Sequence, residues 1–318
     1  MRLGYTLELT DFTAARQRIA NSVRRTPLFN TAPVKRDIAP GAKLMLKLEN
    51  LQPTGSFKVR GAMNSLLSLS KQEKERGLIT ASGGNHGLGV AYAAAQAGVP
   101  ATIYLPKNTP EAKADKVRDW GAEVVWEGEV WDEANRAALA QAHVTAKTYI
   151  HPFAQETVIE GQGTIGLEIR EQAPDVKTML VAIGGGGLIA GIAAAAKLAD
   201  PSIRIIGIEP VGAPTHLESR KAGKVVELKD IKTRAGTLAP RRTEDLNFDL
   251  IQANVDDIVL VSDEEMEEAA RWLWFEFGIA AELSGAAACA ALMAGRIDYT
   301  EGECLAAIVC GAGTDGIG

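Results

Sequence analysis

The chain has 318 residues, of which 46% are hydrophobic and 23% charged, and a net charge of -6. This composition is that of an ordinary globular enzyme, long enough for one large domain or two lobes. The negative balance argues against a nucleic-acid partner, which would need a basic face.

Met1–Thr10 shows no basic region followed by an apolar run, so no leader is expected there. Short apolar, β-branched runs at 43–48, 102–105, 123–126, 179–183, 203–208, 257–261 and 305–309 predict buried strands. Helical patterns fall between them at 60–69, 87–97, 110–120, 132–142, 161–171, 188–198 and 263–277. Ser262, followed by Asp263 and Glu265, has the form of an N-cap with acidic residues in the first turn. Strands alternating with helices imply parallel sheets covered on both faces, an α/β fold. Without a Pro/Gly/Ser linker, a second lobe is expected as an insertion. Residues 53–152 are assigned to a small α/β lobe and residues 1–52 with 153–318 to the larger one. A ligand is expected in the cleft between them. The alanine-rich stretch 280–294 is broken by Glu282 and does not qualify as a membrane span. Cys289, Cys304 and Cys310 lie in apolar C-terminal stretches without ligand spacing, which suits free thiols in a reducing compartment. A cytoplasmic protein with no membrane partner is therefore expected.

Three glycine-bearing turns carry the chemistry. In Thr54-Gly55-Ser56-Phe57-Lys58, the lysine sits near a helix start, where the local positive field favours a neutral, nucleophilic amine. Taken alone, Lys58 reads first as a solvated first-turn lysine. Ser82-Gly83-Gly84-Asn85-His86 precedes a helix whose free amides could bind a carboxylate, or it is simply a capped turn. His86 on its own reads as a packed or capping histidine. Gly184-Gly185-Gly186-Gly187-Leu188 lies between an apolar strand and an apolar helix, where several amides can wrap one phosphate. It lacks the Gly-Lys-Ser/Thr ending of a nucleotide P-loop. Gly185-x-Gly187-x-x-Ala190 with Glu209 also satisfies a dinucleotide fingerprint, so a nicotinamide oxidoreductase is a rival reading.

These turns, in this order, resemble the fold-type-II pyridoxal phosphate enzymes, and most of all the serine/threonine dehydratase and serine racemase group. The resemblance rests on Leu48–Ala62, which contains Lys58, on Ser82–His86 and on Gly184–Leu188. Glu282-Leu283-Ser284-Gly285-Ala286 and Val309-Cys310-Gly311 extend it over nearly the whole chain. It implies a two-lobed, tryptophan synthase β-like fold with pyridoxal 5'-phosphate in the cleft and a homodimer as the assembly. It also implies that Lys58 holds the cofactor as a Schiff base, with Phe57 beside it and Asn85 bonded to its ring hydroxyl. Gly184, Gly185, Gly186, Gly187 and Leu188 would bind the phosphate. Ser82, Gly83, Asn85 and His86 would hold the carboxylate of a small amino-acid substrate. Cys310 would face the pyridine nitrogen, with Thr314 as a competitor for that place, and Glu282 would border the cofactor.

Two departures narrow the reading. Racemases of the group carry a second serine directly after the position of Ser82, as proton donor on the face opposite the lysine; here that position is Gly83. Elimination needs no such donor, so the resemblance implies dehydration and deamination of L-threonine or L-serine. Relatives that bind a divalent cation use an acidic residue, a backbone carbonyl and an aspartate. Glu209 and Ala213 match the first two, but Thr215 stands in place of the aspartate, which leaves a weak metal candidate. Because the sequence stops just after the Cys310 loop, no C-terminal regulatory domain is expected. Racemisation or β-replacement, and a non-catalytic ligand-binding module, remain as rivals.

Overall fold

A computed structural model of the chain describes residues 7–317, so part of the Met1–Thr10 reading lies outside the described residues. The first elements are α1 (Leu9–Ile19), β1 (Leu28–Asn30), β2 (Lys43–Leu48), α2 (Lys58–Ser68) and α3 (Lys71–Arg76). They are followed by β3 (Leu78–Ala81), α4 (Asn85–Ala97), β4 (Ala101–Leu105), α5 (Glu111–Arg118), β5 (Glu123–Trp126), α6 (Trp131–Thr145) and β6 (Thr148–Tyr149). Next come α7 (Glu156–Gln172), β7 (Val176–Ala182), α8 (Gly187–Ala199), β8 (Arg204–Pro210), α9 (Thr215–Ala222) and α10 (Asp245–Asn254). The last are β9 (Asp257–Val261), α11 (Asp263–Phe277), α12 (Leu283–Met293) and β10 (Cys304–Val309).

Two sheets organise the chain. Six strands run in the order β1-β2-β10-β7-β8-β9, and four in the order β5-β4-β3-β6. Every pairing is parallel except that of the edge strand β1, which is antiparallel to β2. This is the α/β fold that the alternation of elements predicts. β2, β5 and β9 coincide with predicted strands, and β4, β7, β8 and β10 carry the others with ends shifted by a few residues. Strand β3 and helix α12 were not predicted as elements. β3 is four residues long and buried throughout. α12 is buried on every side, from Leu283 to Leu292, so its sequence shows no polar face.

The larger sheet and its helices bury one continuous apolar cluster. Around the four-stranded sheet a second cluster gathers Val59, Met63, Leu78, Val90 and Ile103 with Ile19 and Val158. Helix α11 begins as the sequence indicates: Ser262 accepts the Glu265 amide, and the Glu265 side chain returns to the Ser262 amide. Among the described residues, no helix is long and apolar enough to cross a membrane. All three cysteines are free and buried.

Candidate active site

Lys58 is the first residue of α2 and follows a tight turn. Gly55 has φ 75°, a left-handed conformation that glycine adopts without strain, and its amide bonds the Gln52 carbonyl at 2.8 Å. The turn is stitched to the end of β10: the Phe57 amide donates to the Cys310 carbonyl at 3.2 Å and the Ala312 amide to the Gly55 carbonyl at 2.7 Å. Lys58 and Cys310 are thereby neighbours, although they lie at opposite ends of the sequence. The Lys58 residue keeps some surface, but its amine is surrounded by protein and donates to the Pro152 carbonyl at 2.7 Å. Burial pushes the amine down to about 8, and only partly opposing this are Cys310 and Glu282.

Helix α2 is fixed two residues later by an enclosed ionic network. The guanidinium of Arg60, fully buried, bonds Glu49 through Nε at 2.8 Å and Glu168 through Nη1 at 2.7 Å. Lys47, also buried, bonds Glu168 at 2.6 Å. Two cations thus face two anions, and burial is opposed by Arg60 strongly enough that the Glu49 carboxyl stays below its ordinary range.

The loop after β3 lies across α2. A Cβ on Gly89 of α4 would stand 3.2 Å from the Lys58 carbonyl carbon, so α4 packs directly on the lysine's backbone. Asn85 starts α4 and donates to Glu282 Oε1 at 2.9 Å, an oxygen that also takes the Ser284 hydroxyl proton. Burial raises the Glu282 carboxyl despite these two bonds. The Ser82 hydroxyl accepts the Gly84 amide at 3.3 Å. The His86 ring points into the small sheet, where Nε2 meets Thr80 Oγ1 at 3.1 Å and the Ile150 carbonyl at 3.0 Å. Burial, then the charge of Lys58, pushes the His86 imidazole down to about 3. Nε2 of the ring is thereby occupied.

The tetraglycine turn joins β7 to α8 with Gly186 at φ 93°. A Cβ on Gly185 would lie 2.3 Å from the Phe153 ring, and one on Gly187 would lie 2.4 Å from the Phe153 carbonyl oxygen. Phe153 therefore requires a bare backbone there. Because Lys58 holds the carbonyl of the adjacent Pro152, the segment 152–153 brings the lysine and the glycine loop to one place. His151 shapes that segment by accepting the Phe153 and Ala154 amides on Nδ1, at 3.2 and 2.8 Å. In the sequence this segment marks only the expected lobe boundary at 152–153, and nothing in its composition points to the bridge.

Cys310 is fully enclosed, and its thiol donates to the Ser284 carbonyl at 3.3 Å. Burial, reinforced by Glu282, pushes it up to about 12, so it remains a neutral thiol. Thr314 is exposed, whereas Cys310 is buried. Glu209 is buried and accepts the His216 and Leu217 amides at 2.7 and 2.9 Å, capping α9. Burial pushes this carboxyl up to about 7 against those two bonds. Thr215 spends its hydroxyl on the Pro240 carbonyl at 2.7 Å. Among the described residues, no group of three or more histidine, cysteine, aspartate or glutamate side chains gathers as a metal site.

A lysine whose amine gives up its proton readily, a neutral thiol and a bare glycine cradle at a helix N-terminus together suit an aldehyde-bearing aromatic phosphate. Residues 19–311 match the family model described as pyridoxal-phosphate dependent enzyme. The chain belongs to that family. Its cofactor is pyridoxal phosphate. The L-threonine ammonia-lyase of Thermotoga maritima is 39% identical over 97% of this chain and 76% of that protein. Among solved structures, maize serine racemase superposes with a TM-score of 0.92 at 35% identity, covering 97% of this chain and 94% of its own. The processed form of threonine deaminase isoform 2 from Solanum lycopersicum gives a TM-score of 0.90 at 36% identity, covering 96% and 83%. These likenesses establish the fold-type-II resemblance read from the three turns, and they displace the nicotinamide reading of Gly185-x-Gly187-x-x-Ala190.

Proposed function

We propose that the chain dehydrates and deaminates L-threonine or L-serine to a 2-oxo acid and ammonia, with Lys58 carrying the cofactor and moving the substrate's α-proton. The observation that carries this reading is the setting of the Lys58 amine. It is lowered to about 8, lies beside Cys310 and is joined through Pro152–Phe153 to the glycine loop. The likeness to a threonine ammonia-lyase and a threonine deaminase supports the substrate class.

When bound, pyridoxal phosphate supplies a conjugated ring that accepts the electron pair left on the substrate's α-carbon. The protein's part is to hold groups and move protons. Gly184 to Leu188 offer backbone amides and the positive end of α8 to the phosphate. Ser82, Gly83 and Asn85, with the His86 backbone, offer the start of α4 to the α-carboxylate. Phe57 and Asn85 would flank the ring, and Glu282 holds the Asn85 amide in place. Lys58 Nζ, freed by the substrate's amine, takes the α-proton. Cys310, neutral and donating to Ser284, would bring no negative charge to the ring nitrogen, which would favour prompt loss of the β-hydroxyl as water. The enamine left behind hydrolyses to the 2-oxo acid and ammonia.

The maize serine racemase likeness supports the alternative outcome, racemisation. Gly83 opposes it, since that position has no side chain to return a proton. The reading also includes a homodimer by family analogy, a reducing cytoplasmic setting supported by the free buried thiols, and a smaller lobe at 53–152 supported by the four-stranded sheet within 78–149.

Lys58→Ala should lower ammonia release from L-threonine by at least about 10²–10⁴-fold and abolish the visible absorbance of the covalently held cofactor. A variant that kept both would remove the reading. Chirally resolved products from L-serine should show the 2-oxo acid and no D-serine. A dominant D-serine product would move the chain to the racemase side.

A further inference from the structure

The glycine loop poses a problem that glycine itself creates. Four consecutive residues without side chains can direct their amides almost anywhere, and ordering them opposes binding. Something outside the loop must fix the peptide planes. Two side chains that follow it by about sixty residues do so: Thr243 Oγ1 donates to the Gly185 carbonyl at 3.0 Å, and Asn247 Nδ2 donates to the same oxygen at 2.6 Å. Both residues are fully buried. The Asn247 amide also bonds the Phe153 carbonyl at 3.2 Å, and its Oδ1 finds no partner, so its orientation is set by its donors alone.

The peptide between Gly185 and Gly186 is planar and trans, so its carbonyl and its N–H point in opposite directions. Holding the Gly185 carbonyl against α10 aims the Gly186 amide away from α10. Asn247 adds a second constraint, because the Phe153 backbone it grips lies against Gly187.

We infer that Thr243 and Asn247 are positioning residues for the cofactor's phosphate: they touch no ligand, but by clamping the Gly185 carbonyl and Phe153 they pre-aim the amides of the glycine loop. This rests on the reading of Gly184–Leu188 as the phosphate site.

The test compares pyridoxal phosphate with pyridoxal, which lacks the phosphate, for binding to the cofactor-stripped full chain. The unaltered chain should bind the phosphorylated form far more tightly. Thr243→Val and Asn247→Leu should each reduce that preference on the order of ten-fold, the weight of one buried hydrogen bond, and leave pyridoxal affinity unchanged. Thr243→Ser, which keeps the donor, should restore it. The phosphorus resonance of the bound cofactor should move in Thr243→Val and return in Thr243→Ser. Equal losses for both ligands, or a preference untouched in both variants, would overturn the inference. If Asn247→Leu fails to fold, the Thr243 pair decides alone. Should the unaltered chain bind both ligands equally, the phosphate reading itself falls, and the inference with it.

Discussion

At the scale of single residues, the site depends on which protonation state burial leaves behind. Lys58 is depressed from 10.5 to about 8 because its ammonium form loses water, and this outweighs the attraction of Cys310 and Glu282. Cofactor uptake by the stripped chain should therefore quicken through a midpoint of about 8, followed as a change in visible absorbance; a midpoint near 10.5 would show an exposed amine. Gly83 has a second reason to lack a side chain. A Cβ there would approach Thr109 Cγ2 at 2.8 Å and Oγ1 at 3.0 Å. Gly83→Ala should shift the carboxylate loop and raise KM for L-threonine about five-fold, the equivalent of about 1 kcal/mol of overpacking. Adding Thr109→Ala should return KM toward its original value. No rescue by the second change would show that Thr109 is not the obstacle.

At the scale of elements, helix α2 carries the lysine and is held by Arg60 rather than by propensity. Each charge in the Lys47, Glu49, Arg60 and Glu168 group is desolvated, so the group adds little net stability, but removing one member strands a buried charge. Arg60→Met should cost about 3–5 kcal/mol in denaturant unfolding, and the surviving fold should bind cofactor less tightly because Lys58 begins the same helix. A loss under 1 kcal/mol would mean that the carboxylates find other partners. Helix α9 shows the opposite use of a carboxylate. Glu209 caps its N-terminus with both oxygens, an ordinary structural task for a residue whose sequence position invited a cation or a ribose.

At the scale of the whole molecule, burial makes the fold acid-sensitive well above the carboxylate range. His86, His151 and His216 are held down at about 3, 4 and 4 by burial. An unfolded chain would protonate all three near 6.5, so these groups destabilise the fold as pH falls below that value. Glu209, raised to about 7, and Glu282, raised as well, act in the opposite sense because the folded chain holds their protons. The balance is an uptake of one to two protons on unfolding, so stability should fall by roughly 1.4–2.7 kcal/mol per pH unit between about pH 6 and 5. Denaturant midpoints across that window would check it, and a flat profile would show that the imidazoles are solvated.

Local order by itself determined the parallel α/β architecture, most strand positions, the lysine at a helix start, the tetraglycine turn and the Ser262 cap. These are written in short stretches through periodicity and backbone sterics. Tertiary structure alone decided the rest. It set β3 at the centre of its sheet and buried α12 on all sides, since burial erases the patterns that sequence reading uses. It joined Gly55 to Ala312, turned the His86 ring away from the carboxylate loop, and bridged Lys58 to the glycines through Pro152 and Phe153. It also brought Thr243 and Asn247 to the carbonyl of Gly185. These contacts join residues far apart in the chain through backbone carbonyls, which every residue carries, so no residue type announces them.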